Sequence, residues 1–391
     1  MPEEVCNGFQ HVENSCCQCL SLIFIQAFTP DKIKSVSLSE TIFITGFPGF
    51  IAEQLILRLA KPDVRFYFLV QPQFINAAFS KLEKLAAACG ISVANFALVE
   101  GDITKPDCGI VYEDLEVLRG EVTSVFHLAA VYDLEVDADL ARSVNLEGTK
   151  SVNLLVRSMP HLRRYNYIST CYVAGKRQGR ISETDLEHDA GFRNFYEETK
   201  YLAELEVEKL KKDLPVTIFR PAVVVGDSQT GETIKYDGIY SLIRYLMIMP
   251  SLLRFVNIGN HNVKLNLVPV DFVADSIAAL AFDRAANGKT LAIADPSPLT
   301  TSELFDVFSE CLTEKASIIH PPVTSVERIL MMDLTQKITG LPSSGVPYFF
   351  IEQEYDTTQA TALLKEHGIE CPRFADYAPV LTEFVRKHPQ I

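Results

Sequence analysis

Between residues 41 and 226 the chain alternates two hydrophobic patterns. Continuous apolar runs of strand length are "TIFIT" (41–45), "VRFYFLV" (64–70), "FALVEGD" (96–102), "VTSVFHLAA" (122–130), "RYNYIST" (164–170) and "VTIFRPAVVVG" (216–226). Amphipathic stretches of helix length separate them, at 50–59, 77–88, 140–158 and 196–212. Strands apolar on both faces, alternating with helices, predict a parallel sheet covered by helices on both sides, a doubly wound α/β fold. No repeat of solenoid length is present.

The flanking regions read differently. Residues 1–39 hold four cysteines, Cys6, Cys16, Cys17 and Cys19. Their CC-x-C cluster lacks the paired spacing of a zinc site, so this segment is expected to be a loosely attached extension, disordered or structural. Residues 40–225 are expected to form one α/β domain. Residues 226–391 would form a smaller, mainly helical region that partly returns to that body. Within it, 239–256 is strongly apolar. Leu246, Met247, Ile248, Met249, Leu252 and Leu253 there either line a pocket for an acyl chain or make ordinary helix core. Arg244 and Arg254 could meet a phosphate or solvent. Residues 266–280 read as a strand and a helix. Helices are expected at 301–311, 358–367 and 376–387, the last with Val380, Leu381, Phe384 and Val385 on one face docking on the body.

Composition narrows the function. The 391 residues suit two domains, and 48% hydrophobic with 22% charged residues supports a sizeable core. Fifty acidic residues against 36 basic ones leave a net charge of −14, which disfavours nucleic acid and anionic membrane surfaces as partners. No run reaches the ~18–20 apolar residues of a transmembrane helix. The short run 19–28 has Glu3, Glu4 and Glu13 before it rather than a basic region, unlike a secretory signal. Nine cysteines in so long a chain suit a reduced, cytoplasmic protein, and the eight histidines do not pair at metal-ligand spacing.

The first strand runs into Thr45-Gly46-Phe47-Pro48-Gly49-Phe50-Ile51-Ala52 and then a helix. Glycine allows a tight turn and close approach of a pyrophosphate, and the helix start offers free N–H groups to it. A plain strand–helix turn would look similar, but the position after the first strand of an alternating chain is the one a dinucleotide needs. Gly46, Pro48, Gly49, Phe50 and Ile51 are therefore expected at the cofactor phosphates. Asp102, followed by Ile103, sits past the third strand, where a carboxylate could accept from an adenine amino group. Ala129 and Ala130 end the fourth with small residues beside the nicotinamide ribose. Gln71 ends the second strand. It is neither the acid that favours a 2′-OH nor the arginine that favours a 2′-phosphate, so NAD and NADP stay open, with a lean to NADP.

Tyr196 and Lys200 stand at i and i+4, on one face of one helix. A tyrosine of reference pKa ~10 needs help to exchange protons at neutral pH, which a nearby ammonium and a cationic nicotinamide would supply. Thr170, ending the preceding strand, could hold a substrate oxygen beside Tyr196. Together they suit hydride transfer at carbon with proton transfer at oxygen.

These segments resemble the extended short-chain dehydrogenase/reductase superfamily, whose Rossmann fold matches the expected sheet. The resemblance rests on "TGFPGFIA", "GDIT", "HLAA", "VNLEGT" (144–149), "YISTCYVAG", "YEETK" and "RPAVVVGDS" (220–228) and spans about 41–280. It implies Tyr196 as acid–base, Lys200 as its partner and a cofactor contact, Thr170 as the hydroxyl member, and Asn145 as the asparagine after the fourth strand. Within the superfamily, "YISTCYVAG", "YEETKYLAE" and "GDSQTGETIKYDG" (226–238) are similar to thioester reductase domains and fatty acyl-CoA reductases. Ala52 and Gln71 depart from their usual glycine and arginine. The implied substrate is a small molecule, an acyl-CoA or a thioester on an acyl carrier protein, and a homodimer through the helices beside Tyr196 is common in the superfamily. Two other functions share the fold: a nucleotide-sugar epimerase or dehydratase, and an NAD(P)-binding sensor without chemistry.

Overall fold

A computed structural model describes residues 39–236, 238–248, 256–322 and 346–389. The extension's cysteines, Met249, Leu252, Leu253, Arg254 and the side chain of Ile248 lie outside the described residues. Seven parallel strands form the main sheet: β1 (Glu40–Thr45), β2 (Val64–Val70), β3 (Phe96–Glu100), β4 (Ser124–His127), β5 (Arg164–Ile168), β6 (Val216–Pro221) and β7 (Thr290–Ile293). Their spatial order is β7-β6-β5-β4-β1-β2-β3. The order reverses between β1 and β4, which pair in register from Ile42 opposite Ser124 to Thr45 opposite His127. In doubly wound sheets ligands bind at such a switch point, beyond the carboxyl ends of the strands.

Strand alternation explains the two cores. Ile42, Ile44, Phe66, Phe68 and Phe126 face one side, buried with α1 (Phe50–Leu59), α2 (Ile75–Cys89) and later helices. Phe43, Tyr67, Val125, Tyr165 and Tyr167 face the other, buried with α3 (Tyr112–Glu121), α4 (Gly148–Arg157) and α5 (Phe195–Glu208). Most strands are thus apolar on both faces, as a sheet covered twice requires, while β5 buries Arg164 and Asn166 on the side opposite Tyr165 and Tyr167. Alpha-helical turn Ala138–Ala141 and π-helical stretch Arg142–Glu147 lead into α4, so the expected helix at 140–158 carries a π-helical interruption.

The sheet differs from the sequence reading after residue 221. The run 216–226 is not one strand: β6 stops at Pro221, and Val223–Val225 pairs with Leu267–Pro269 in a separate two-stranded ladder. Proline supplies no N–H to a ladder, and the Ala222 N–H still reaches Ile293 O (3.0 Å) before Val223 N–H turns to Asn266 O (3.1 Å). Strand β7 falls in a region expected to be helical. Beyond 226, α6 (Ile239–Ile248), α7 (Val270–Leu280), α8 (Thr301–Thr313), α9 (Thr358–Glu366) and α10 (Phe374–Lys387) follow. Helix α7 packs on α1 and completes the first core. Leu246 is buried with Leu381 and Val385 of α10 in a third cluster, and Met247 and Phe384 pack against it, so Leu246 and Met247 belong to helix core. Among the described residues no helix is long and apolar enough to cross a membrane.

Candidate active site

The turn after β1 is built for close approach. Gly46 has φ +89°, and a Cβ there would lie 2.7 Å from Ala129 N and 2.8 Å from the Leu128 carbonyl carbon. Only glycine combines that backbone with that space. A Cβ on Gly49 would meet Gly46 O at 2.5 Å. Gly49 is also the N-cap of α1, and no side chain caps the helix, so its first N–H groups, with half-buried Phe50 and Ile51, are left for an anion. Half-buried Pro48 sits in the same turn.

The other strand ends converge on the same edge. Asp102 accepts from the N–H (2.9 Å) and hydroxyl (2.8 Å) of Thr104. Burial pushes its carboxyl up, but those bonds and the Gln71 amide outweigh it and hold the group below its usual value. Gln71 also accepts from the Gln73 amide (2.9 Å). Ile103 is buried in the second core. Ala129 and Ala130 are half-buried, so the edge beside them is open to a ligand.

A relay of hydrogen bonds stiffens this floor. Thr45 Oγ1 accepts from Ala129 N–H (3.2 Å) and lies 2.7 Å from His127 Nδ1. His127 Nε2 is 3.1 Å from Thr149 Oγ1, which donates to Asn145 O (2.7 Å). The directions fit one neutral tautomer, with Nε2 protonated and Nδ1 accepting. Burial, aided by the Lys200 charge, pushes His127 down to about 3. Asn145 clamps Val131, accepting from its N–H (2.8 Å) and donating to its carbonyl (3.0 Å), and donates to Thr199 Oγ1 (3.1 Å). Its side chain thus ties the loop after β4 to the π-helical stretch and to α5.

Thr170, Tyr196 and Lys200 meet where β5 ends beside α5. Asn194 caps α5 by accepting from Glu197 N–H (2.9 Å), which fixes the first turn that carries Tyr196. The Tyr196 hydroxyl is within hydrogen-bonding reach of Thr170. Burial pushes the phenol up to about 12, partly offset by that bond. Lys200, 3% exposed, donates to the Tyr167 hydroxyl (3.0 Å) and the Ile168 carbonyl (2.9 Å). The expected lowering of the tyrosine by Lys200 is not what this geometry produces, because the ammonium turns to Tyr167 and Ile168. Burial lowers Lys200 itself to about 8, against the pull of Glu204.

Two buried carboxylates brace the helix. Glu197 accepts from Arg193 N–H (2.9 Å) and from the Tyr348 hydroxyl (2.6 Å). Glu204 accepts from Arg220 Nε (2.9 Å) and Nη2 (2.6 Å), and from the Ser169 hydroxyl next to Thr170. The sequence analysis did not single out either one. Glu204 had a signal, since it lies four residues beyond Lys200 on the same helical face. The link from Glu197 to Tyr348 spans 151 positions and had none.

A family profile of NAD-binding proteins described as "Male sterility protein" matches residues 44–277. The chain belongs to this family. The match bears out the motif resemblance to fatty acyl-CoA and thioester reductases. A "Fatty acyl-CoA reductase wat" of Drosophila melanogaster is 26% identical over 323 residues, covering 72% of this chain and 61% of its own length. The chain therefore spans less than two thirds of that relative. The fold matches the terminal R domain from the myxalamid PKS-NRPS biosynthetic pathway with TM-score 0.75 and 21% identity, over 90% of this chain and 92% of that one. A UDP-glucuronic acid 4-epimerase of Bacillus cereus, in complex with NAD, shares the fold less closely (TM-score 0.63, 18% identity, 89% and 99% covered).

Proposed function

We propose that the chain is a nicotinamide-dependent reductase of an acyl thioester or related carbonyl. The observation that carries this reading is the meeting of Tyr196 and Thr170 beside buried Lys200, on the same sheet edge as the Gly46 turn. The Gly46 cradle, the uncapped start of α1 and the open wall at Ala129 and Ala130 fit a dinucleotide. Gly46, Pro48, Gly49, Phe50 and Ile51 would hold its phosphates. Asp102, Ile103 and Gln71 would lie at the adenosine side, and Ala129, Ala130 and Lys200 at the nicotinamide side. When bound, the cofactor supplies the hydride.

The protein's own groups do the rest. Thr170 and Tyr196 hydrogen-bond the substrate carbonyl oxygen. A phenol raised to about 12 is protonated at neutral pH, so Tyr196 serves as the acid that protonates the developing alkoxide. With a thioester, the carbonyl carbon would gain hydride and the oxygen a proton from Tyr196; when the C–S bond then breaks, the oxygen would give up that proton, the thiolate would take it, and an aldehyde and a thiol would leave. Lys200 holds positive charge beneath the site, and Glu204 and Arg220 fix the helix that carries it.

Five finer assignments belong to the same reading. NADPH is preferred over NADH, because neutral Gln71, just past β2, sets no negative charge against a 2′-phosphate and the Lys105 charge lies near Asp102. The acyl donor is a CoA ester or a carrier-protein thioester. Residues 40–225 bind the cofactor, 226–391 shape the substrate side, and a homodimer would use the helices beside Tyr196. A reducing cytoplasm suits Cys89, Cys108, Cys171, Cys311 and Cys371, which form no disulfide.

The test mixes purified protein with NADPH or NADH and a panel of acyl-CoAs and aldehydes while nicotinamide absorbance is followed. Turnover should appear with a thioester and fall about 10²–10⁴-fold in Tyr196→Phe, with cofactor affinity kept. Absence of turnover with every substrate, or full activity in Tyr196→Phe, overturns the reading.

A further inference from the structure

A second tyrosine lies under α5, below the residues expected to react. Tyr167 is buried in β5, in the core on the α5 side of the sheet. It stands opposite His127 in the parallel ladder, with the two rings 5.6 Å apart. The Lys200 ammonium meets it in two ways. Nζ donates to the phenol oxygen at 3.0 Å and lies 4.6 Å from the centre of the ring. A second N–H goes to the Ile168 carbonyl at 2.9 Å, so both acceptors belong to β5 and both are neutral. The titratable groups around this contact are few. Glu204 of α5 is paired with Arg220 of β6 at 2.6 Å. Burial keeps His127 of β4 uncharged and holds Tyr165 of β5 and Tyr196 of α5 in their protonated forms.

We propose that Tyr167 is a positioning residue for the reaction, its hydroxyl holding the Lys200 ammonium beneath the site without neutralising it. The inference rests on the reductase reading and adds to it a residue outside the group of Thr170, Tyr196 and Lys200. A buried ammonium needs acceptors, and the kind it finds decides how much of its field reaches the site. A carboxylate in this place would pair with it and cancel the charge. A phenylalanine would leave it one acceptor short, where burial already lowers Lys200 to about 8. A phenol does neither, because its lone pair and ring face stabilise the cation and stay neutral. Burial and the Glu204 charge raise the Tyr167 phenol well above its usual value, so it remains a hydroxyl wherever Lys200 titrates. The Thr149 hydroxyl acts on it from α4, and that side chain is itself held by His127 (3.1 Å) and the Asn145 carbonyl (2.7 Å). Three elements, β4, α4 and β5, thus fix the acceptor that α5 sets Lys200 upon.

Tyr167→Phe keeps the ring and removes the lone pair. A hydrogen bond to a charged group is worth about one to two pH units of midpoint. Protein with lysine labelled at Nζ is titrated by NMR without substrate, the Lys200 signal being the one lost in Lys200→Arg. Its midpoint is compared with the alkaline limb of kcat/KM for thioester reduction. Both should lie near 8 in wild type. In Tyr167→Phe both should move down together, so that activity falls about 5–25-fold more at pH 8 than at pH 6. A merely structural role would lower the melting temperature and leave both midpoints in place, and that result overturns the proposal. So does an Nζ midpoint that moves without the limb. Should Tyr167→Phe fail to fold, Tyr196→Phe protein with tyrosine labelled at Cζ decides. One tyrosine signal must then titrate with the Lys200 midpoint and cease to do so when Lys200→Arg is added, and no such signal overturns the proposal. A Tyr167-dependent Lys200 midpoint in protein that reduces no thioester would sink the reductase reading and leave the hold on Lys200 standing.

Discussion

The charge state of Lys200 should set the alkaline limit of activity. Its ammonium is 3% exposed, and the groups it touches, the Tyr167 hydroxyl and Ile168 carbonyl, are neutral. The carboxylate that acts on it is Glu204, whose charge is matched by Arg220 at 2.6 Å. Burial therefore wins, and the group falls from 10.5 to about 8. That drop corresponds to about 3 kcal/mol disfavouring the charged form. At pH 7 about nine in ten molecules still carry the charge, and each pH unit above 8 removes about a factor of ten. Tyr196, pushed up to about 12, remains protonated across the same range and cannot produce this limb. The assay is kcat/KM for thioester reduction from pH 6 to 9.5, in wild type and in Lys200→Arg, whose guanidinium does not titrate there. Wild type should lose activity above about pH 8, tenfold per unit, and whatever activity Lys200→Arg retains should be flat. A flat wild-type profile, or an unchanged limb in Lys200→Arg, refutes the reasoning.

Further outcomes follow from other contacts. Gly46→Ala forces a Cβ within 2.7 Å of Ala129 N at a positive φ, and should cost about 2–4 kcal/mol in urea unfolding and abolish NADPH binding. Unchanged binding would remove Gly46 from the cofactor site. His127 is held at about 3 rather than 6.5. Below pH 6.5 the unfolded chain takes a proton that the folded chain refuses, so stability falls as pH drops, by about 2 kcal/mol at pH 5. His127→Gln should lose that much less between pH 7 and 5, and an equal loss would contradict the assignment. Glu204→Gln leaves the Arg220 guanidinium buried without its charge partner, and should destabilise by about 3–5 kcal/mol. It should also move the Lys200 limb to lower pH, since Glu204 is the group that raises it. A variant that melts like wild type with an unmoved limb would show that Glu204 does neither.

Local features were legible in the sequence because their causes are local. Helix α1 begins and ends where the hydrophobic spacing predicts, and β2 coincides with "VRFYFLV". The glycine turn was readable because backbone freedom belongs to the residue itself. The spacing of Tyr196 and Lys200 was readable because four residues make one helical turn. The break at Pro221 was missed. A run of valines reads as one strand until the competing partner at Leu267–Pro269 is known. Strand β7 was missed too, since its short run joins the sheet only through pairing with β6, from Thr290 opposite Ile218 to Ile293 opposite Pro221.

The sequence by itself determined the alternating fold, the glycine turn after β1 and the grouping of Thr170, Tyr196 and Lys200 as the candidate site. Tertiary structure decided their electrostatics and their surroundings. Lys200 faces Tyr167 and Ile168 because β5 runs beneath α5, and burial there sets both its charge and that of Tyr196. Glu204 meets Arg220 across 16 residues, His127 meets Thr45 across 82, and Tyr348 reaches Glu197 across 151. Periodicity carries no information over such separations. Desolvation and pairing exist only once the sheet has brought these groups together.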